Sequence, residues 1–179
     1  MLEMVLYGRG GQGVQLGGRI IATALFKAGY WVQSFASFGA EKRGAPVVSQ
    51  VRVDRKPIRL RSDVRTPDLL GIFDPSLAGE VLAQYRLREA GVIVVNTGGG
   101  SDELSLEGHR LVAVDALEVA GRFGLGRLIN SVMVGAIMGT ADLVELSLLT
   151  EAVRGLVPQR REENAAACSE SFRLARTLA

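Results

Sequence analysis

A glycine-rich turn, Gly8-Arg9-Gly10-Gly11-Gln12-Gly13, stands between the apolar run Met4-Val5-Leu6-Tyr7 and a long stretch of helical periodicity. Strand, tight turn and helix in that order commit the start of the chain to an α/β layout. They also form an anion cradle. Glycines let the backbone approach a phosphate, while N–H groups and the positive end of the helix dipole face it. The turn therefore predicts a phosphorylated ligand held by Gly8, Arg9, Gly10, Gly11, Gln12 and Gly13, with Arg9 and Gln12 adding side-chain donors. Two other readings stay open: glycines that only let helix and strand pack closely, and an Arg9 that pairs with an acid of a neighbouring subunit. Gly8, Gly10 and Gly13 also satisfy G-x-G-x-x-G, but a dinucleotide site needs an acid about 20 residues later, at the end of the second strand. Tyr30-Trp31-Val32-Gln33-Ser34-Phe35 supplies none, which argues against NAD and FAD.

Apolar residues from Val14 to Ala28 recur at helical spacing, and Gly29 is placed to stop that helix. With the following strand this makes a Rossmann-like β–α–β start. Val47 to Val53 and Ile58 to Arg61 read as an inserted antiparallel hairpin around Asp54-Arg55-Lys56-Pro57, its exposed face carrying arginines. Leu69 to Phe73, Val92 to Val95 and Arg110 to Val114 read as buried strands. Helices are expected over Ser76 to Leu87, Ala116 to Phe123, Leu146 to Val157 and, after Pro158, Glu162 to Leu178, with Asn130 and Ser131 as caps of a glycine-rich helix. The fold class is α/β: one domain over residues 1–179, its mixed, mainly parallel sheet flanked by helices.

With 179 residues, 47% of them hydrophobic, the chain can bury one substantial core. One cysteine, Cys168, and one histidine, His109, cannot assemble an iron–sulfur or metal site, so any redox centre is expected in a partner. Cys168 reads as a small buried hydrophobe, and Phe35 and Phe38 as core or interface packing. The start of the chain carries no export signal, and a cytoplasmic location is expected. The apolar stretch Ser131 to Gly139 is broken by Asp142 and Glu145 before it could span a bilayer, so no membrane association is expected. Arg52, Arg55, Lys56, Arg59, Arg61 and Arg65 crowd together although the net charge is only +2.

The turn at Gly8–Gly13, the loop Phe38-Gly39-Ala40-Glu41-Lys42-Arg43-Gly44-Ala45-Pro46, the segment Asn130-Ser131-Val132-Met133-Val134-Gly135 and the tail Glu163-Asn164-Ala165-Ala166-Ala167 resemble the gamma subunit of 2-oxoacid:ferredoxin oxidoreductases, the pyruvate type above all. The resemblance implies a subunit that is not catalytic alone, within a complex of alpha, beta and delta-type partners. That complex decarboxylates a 2-oxoacid oxidatively to acyl-CoA and reduces ferredoxin. Thiamine diphosphate, magnesium and iron–sulfur clusters are implied in the partners, and contact with coenzyme A in this chain. It further implies that Phe38, Gly39, Glu41, Lys42, Arg43 and Gly44 form an active-site lid or interface, with Arg43 suited to a carboxylate or diphosphate. Asn130 joins the glycine turn as a cofactor contact, a helix cap being the alternative. Ala40 and Lys42 depart from the commoner family residues and leave 2-oxoglutarate, branched-chain 2-oxoacid and indolepyruvate subtypes open. The rivals from other classes are a stand-alone nucleotide-binding enzyme and a nucleic-acid module using the arginines; nucleic acid is not an expected partner. The isolated chain is expected to form homodimers if surfaces that partners normally cover are apolar.

Overall fold

The computed structural model describes residues 1–38, 46–99 and 109–178, with backbone alone at Ser37 and Phe38. The opening apolar run is β1 (Leu2–Arg9), and the periodic stretch after the glycines is α1 (Val14–Lys27). Gly29 ends α1 as its sequence position predicts. At φ 85° it donates its N–H to the Phe26 carbonyl at 3.0 Å, and Tyr30 N–H returns to Leu25 at 3.2 Å. That pair of bonds satisfies helix carbonyls that would otherwise lack partners.

β2 (Trp31–Phe38) and β3 (Pro46–Asp54) follow, then β4 (Leu69–Ile72), a short 3-10 turn (Pro75–Leu77), α2 (Ala78–Gln84), β5 (Val92–Asn96) and β6 (Arg110–Val114). The rest is helical: α3 (Ala116–Arg122), α4 (Asn130–Ala141), α5 (Leu146–Leu156) and α6 (Arg161–Leu178). The strands form one mixed sheet in the order β2-β3-β1-β4-β5-β6. β1, β4, β5 and β6 run parallel, and β3 is antiparallel to both neighbours.

Three expectations change. Residues 58–61 are not a strand; β3 pairs across the inserted hairpin with β2, Trp31 opposite Asp54 and Phe38 opposite Val47. Residues 55–66 instead cross the sheet as an irregular strap, because side chains hold them: Gln33 Nε2 donates to the Ile58 carbonyl at 3.3 Å, and Gln50 Oε1 accepts the Val64 N–H at 2.5 Å. Secondly, β2 is not adjacent to β1, since β3 inserts between them. Thirdly, the arginines do not share one exposed face. Arg52 is 1% exposed, paired at 2.7 Å with Glu3, its cross-strand neighbour in β1.

Alternation along the strands builds two cores. Met4, Leu6, Val94 and Val112 pack under α1 and α3 to α6, whereas Val5, Tyr7, Leu70 and Ile93 meet α2 and Val64 on the other face. α4 is buried from Asn130 through Gly139, as an apolar-all-round helix must be. Its Gly135 and Gly139 lie against the α6 backbone at Cys168 and Phe172, which lets the two helices pack closely. No helix among the described residues is long and apolar enough to cross a membrane.

Candidate functional site

The connection from β1 leads to the sheet face bearing α1, and that from the neighbouring parallel strand β4 leads to the face bearing α2. Where successive connections diverge in this way, a crevice opens beyond the carboxyl ends of the strands. Arg9 spans it. Its Nε donates to Asp74 Oδ2 at 2.7 Å and its Nη2 to Ser76 Oγ at 3.1 Å. Asp74 Oδ1 also accepts the Ser76 N–H at 3.0 Å and hydroxyl at 2.6 Å. Burial alone would raise the Asp74 carboxyl, but the bonds from Ser76 and Arg9 outweigh it and hold the group below the ordinary aspartate range.

A carboxyl held below its unfolded value lends stability above that value and loses it as the pH falls through the folded one. Asp74→Asn is therefore expected to cost about 0.5 kcal/mol near neutrality, a small figure because solvent screens this part-exposed pair. The deficit should shrink as the pH falls below the ordinary aspartate range and vanish once the carboxyl is protonated in the folded state as well. Melting curves across that range check it.

Within the turn, Gln12 folds back. Its Oε1 accepts the Arg9 N–H at 2.7 Å, and its own N–H reaches the Arg9 carbonyl at 3.2 Å. The Gln12 side-chain oxygen is thus occupied in closing the turn, which leaves the amide NH2 as the group it can offer as a donor. Gly11 (φ 94°) and Gly13 (φ 77°) occupy the left-handed region that favours glycine. Gly10 does not; a Cβ built there meets nothing within 4 Å. Gly13 caps α1 without a side-chain hydrogen bond, leaving the positive end of that helix open to an anion.

Asn130 comes to Gly13 from the opposite end of the sequence, so close that a Cβ on Gly13 would lie 2.7 Å from the Asn130 Cβ. The capping expectation for Asn130 and Ser131 is corrected. The N-cap of α4 is Ile129, with no side-chain cap bond, because both polar residues are already inside the helix. Ser131 Oγ donates instead to Asn164 Oδ1 at 2.7 Å, and Asn164 Nδ2 donates to the Arg160 carbonyl at 2.9 Å, fixing the start of α6. Turn, α4 and α6 enclose a cleft of about 130 Å3 lined by Gly11, Gln12, Gly13, Leu16, Leu128, Asn130, Val157, Pro158, Gln159 and Asn164. Small-molecule pockets run from about 300 Å3 upward, so this cleft suits part of a ligand, with the remainder on another surface.

The sequence did not single out Leu16, Leu128, Val157, Pro158, Gln159 and Asn164 as site residues. The available signals were the Pro158 break between two helices and the tail Glu163-Asn164-Ala165-Ala166-Ala167. Gly8 is buried beneath the turn, where an added Cβ would meet Gln12, Val14 and Phe73 at 2.8 Å each. Gly39, Glu41, Lys42, Arg43 and Gly44 lie outside the described residues, as does the Phe38 side chain. Phe35 is half-buried with the Arg52 guanidinium 5.6 Å from its ring centre. Burial pushes the Cys168 thiol up to about 12, which keeps it inert. Among the described residues no group of three His, Cys, Asp or Glu side chains could hold a metal ion.

The model of the pyruvate ferredoxin/flavodoxin oxidoreductase family matches residues 3–174. The Pyruvate/ketoisovalerate oxidoreductases common subunit gamma of Thermococcus kodakarensis is 36% identical over 177 residues, 96% of each chain. The pyruvate oxidoreductase subunit PORC of Thermotoga maritima shares the fold at TM-score 0.82 and 24% identity, covering 96% of this chain and 95% of that one. A 2-oxoglutarate:ferredoxin oxidoreductase of Magnetococcus marinus, solved with 2-oxoglutarate, coenzyme A and succinyl-CoA bound, matches 99% of this chain with 31% of its own at TM-score 0.83 and 24% identity. A family match spanning nearly the whole sheet and every helix, joined to a near full-length gamma-subunit relative, shows that this chain belongs to the pyruvate ferredoxin/flavodoxin oxidoreductase family as a gamma-type subunit of an oxidoreductase.

Proposed function

We propose that this chain serves a cytoplasmic pyruvate:ferredoxin oxidoreductase, helping to assemble it, covering its active site and contacting coenzyme A. The complex would decarboxylate the 2-oxoacid oxidatively to acyl-CoA and pass electrons to ferredoxin. Thiamine diphosphate, magnesium and iron–sulfur clusters belong, in this reading, to its alpha, beta and delta-type partners. The relative's name, a gamma subunit common to pyruvate and ketoisovalerate enzymes, supports a shared module whose partners select the 2-oxoacid.

The observation that carries the coenzyme A reading is the cleft at the positive end of α1, where Gly11, Gly13 and Asn130 converge. A phosphate seated there would accept from the backbone N–H groups at the start of α1 and from the Asn130 amide, and helix-end polarity would favour its charge. The small cleft volume supports a shared site, with the rest of the coenzyme on a partner. In the same reading Phe38, Gly39, Glu41, Lys42, Arg43 and Gly44 serve as an active-site lid or interface, Arg43 offering a planar guanidinium to carboxylate or diphosphate.

Gly10→Val tests the cradle. Nothing crowds Gly10 and its φ is ordinary, so the melting temperature should stay unchanged. A branched side chain on the exposed rim should nevertheless raise the apparent KM for coenzyme A in the assembled complex about tenfold, the loss of one good phosphate contact. Unchanged KM with unchanged melting would remove the cradle from the account.

A further inference from the structure

The strap over residues 55–66 is anchored, yet it leaves its cations outside. Val64 is buried against Val48 and Tyr7, Arg88 Nε donates to the Thr66 carbonyl at 3.2 Å, and Arg86 N–H to the Arg65 carbonyl at 3.3 Å. Lys56, Arg59, Arg61 and Arg65 are exposed and make no ion pair among the described residues, and Asp63 is the one acid from Arg55 to Arg65. Such charges repel one another and remain solvated unless something acidic meets them.

Alongside the strap runs β2, an edge strand of eight residues, Trp31–Phe38, with no charge and no proline. The other edge, β6, is five residues long and begins with an arginine. Edge strands that face water are ordinarily shortened or charged to prevent pairing; β6 has these protections and β2 has neither. A groove of about 500 Å3 lies against β2, lined by the apolar Val32, Phe35 and Leu60 and the polar Gln33, Ser34, Arg61 and Asp63, with Leu60 47% exposed; around that one acid Arg59, Arg61 and Arg65 keep the strap net basic. Trp31, 55% exposed, stands at the start of the same strand.

We propose that β2 and the basic strap form a docking surface for an extended, acidic segment of a partner polypeptide, which adds a strand to the sheet at β2 and places carboxylates on Arg59 and Arg61. Main-chain pairing would give affinity, and charge complementarity would select the partner. The edge strand, uncharged and without proline, and the apolar side chains of Val32, Phe35 and Leu60 beside it favour polypeptide over nucleic acid, whose binding would use the cations alone. The surface is separate from the coenzyme A cleft, and the proposal does not depend on that reading.

The test titrates the full isotope-labelled chain with a peptide as long as β2 that alternates Glu and Val, beside a Lys–Val counterpart and a single-stranded DNA of equal charge. The Glu–Val peptide is expected to shift the backbone amides of β2 and of Arg59 to Arg61. Arg59→Glu with Arg61→Glu should weaken it at least about tenfold, with the melting temperature unchanged because both side chains are exposed. Amide shifts confined to other strands, equal affinity for the Lys–Val peptide, tighter binding of the DNA, or full affinity in the folded double variant would each overturn the proposal.

Discussion

Gly135→Val is expected to destabilise the chain by about 3 kcal/mol, lowering its melting temperature by about 9 °C. A Cβ at this position would overlap the Cys168 backbone carbonyl oxygen and lie 2.9 Å from its carbonyl carbon. No side chain can rotate away to relieve that contact, so α4 and α6 must separate. Gly139 repeats the arrangement one turn later, where a Cβ would lie 3.0 Å from the Phe172 carbonyl carbon, so the seam cannot be opened at one end alone. Gly155→Ala provides the contrast. It sits on the exposed side of α5 with nothing within 4 Å of an added Cβ, and alanine there should stabilise by about 0.5 kcal/mol through helix propensity. Denaturant unfolding of both variants decides the matter; a Gly135→Val value within about 0.5 kcal/mol of the parent would mean that the helix seam is not close-packed.

Gly13→Ala carries the second large effect, and it has two separable causes. The residue sits at φ 77°, where a Cβ costs about 1–2 kcal/mol, and that Cβ would press to 2.7 Å from the Asn130 Cβ. Together the expected loss is about 3 kcal/mol. Asn130→Gly removes the atoms it strikes while leaving the backbone strain, so the double variant should recover about 1 kcal/mol relative to the sum of the singles. Strict additivity would show that turn and α4 are not in contact, and the cleft between them would lose its basis. In the assembled complex, Gly13→Ala should also raise the apparent KM for coenzyme A, since the side chain grows into the cleft wall.

Local pattern made the elements legible because strands, helix stops and buried runs are written in short windows. Gly29 ends α1 by a local rule, and the short β-branched run Val92 to Val95 suits a strand buried on both faces. What the sequence concealed was pairing. Val-Arg-Val at 51–53 alternates like a half-solvated strand, yet Arg52 is buried because Glu3, about 50 residues away, stands opposite it. Ile58 to Arg61 alternates too, but strap residues anchored by Gln33 and Gln50 side chains leave no strand for it to join. The cleft had the same character. Each segment carried its own signal, whereas the contact of Gly13 with Asn130 spans more than half the chain. Nothing local announces that Asn164, while lining the cleft, also accepts the Ser131 hydroxyl.

The central claim is that this chain is one part of a larger oxidoreductase and contributes to its coenzyme A site. Affinity purification of the tagged chain from its own cells, followed by subunit identification and a ferredoxin-reduction assay with pyruvate, tests it most directly. Co-purification with a thiamine diphosphate subunit and an iron–sulfur subunit is expected, with coenzyme A-dependent activity in that complex and none in the chain once stripped of its partners. Activity retained by the stripped chain, or its recovery without such partners, would contradict it.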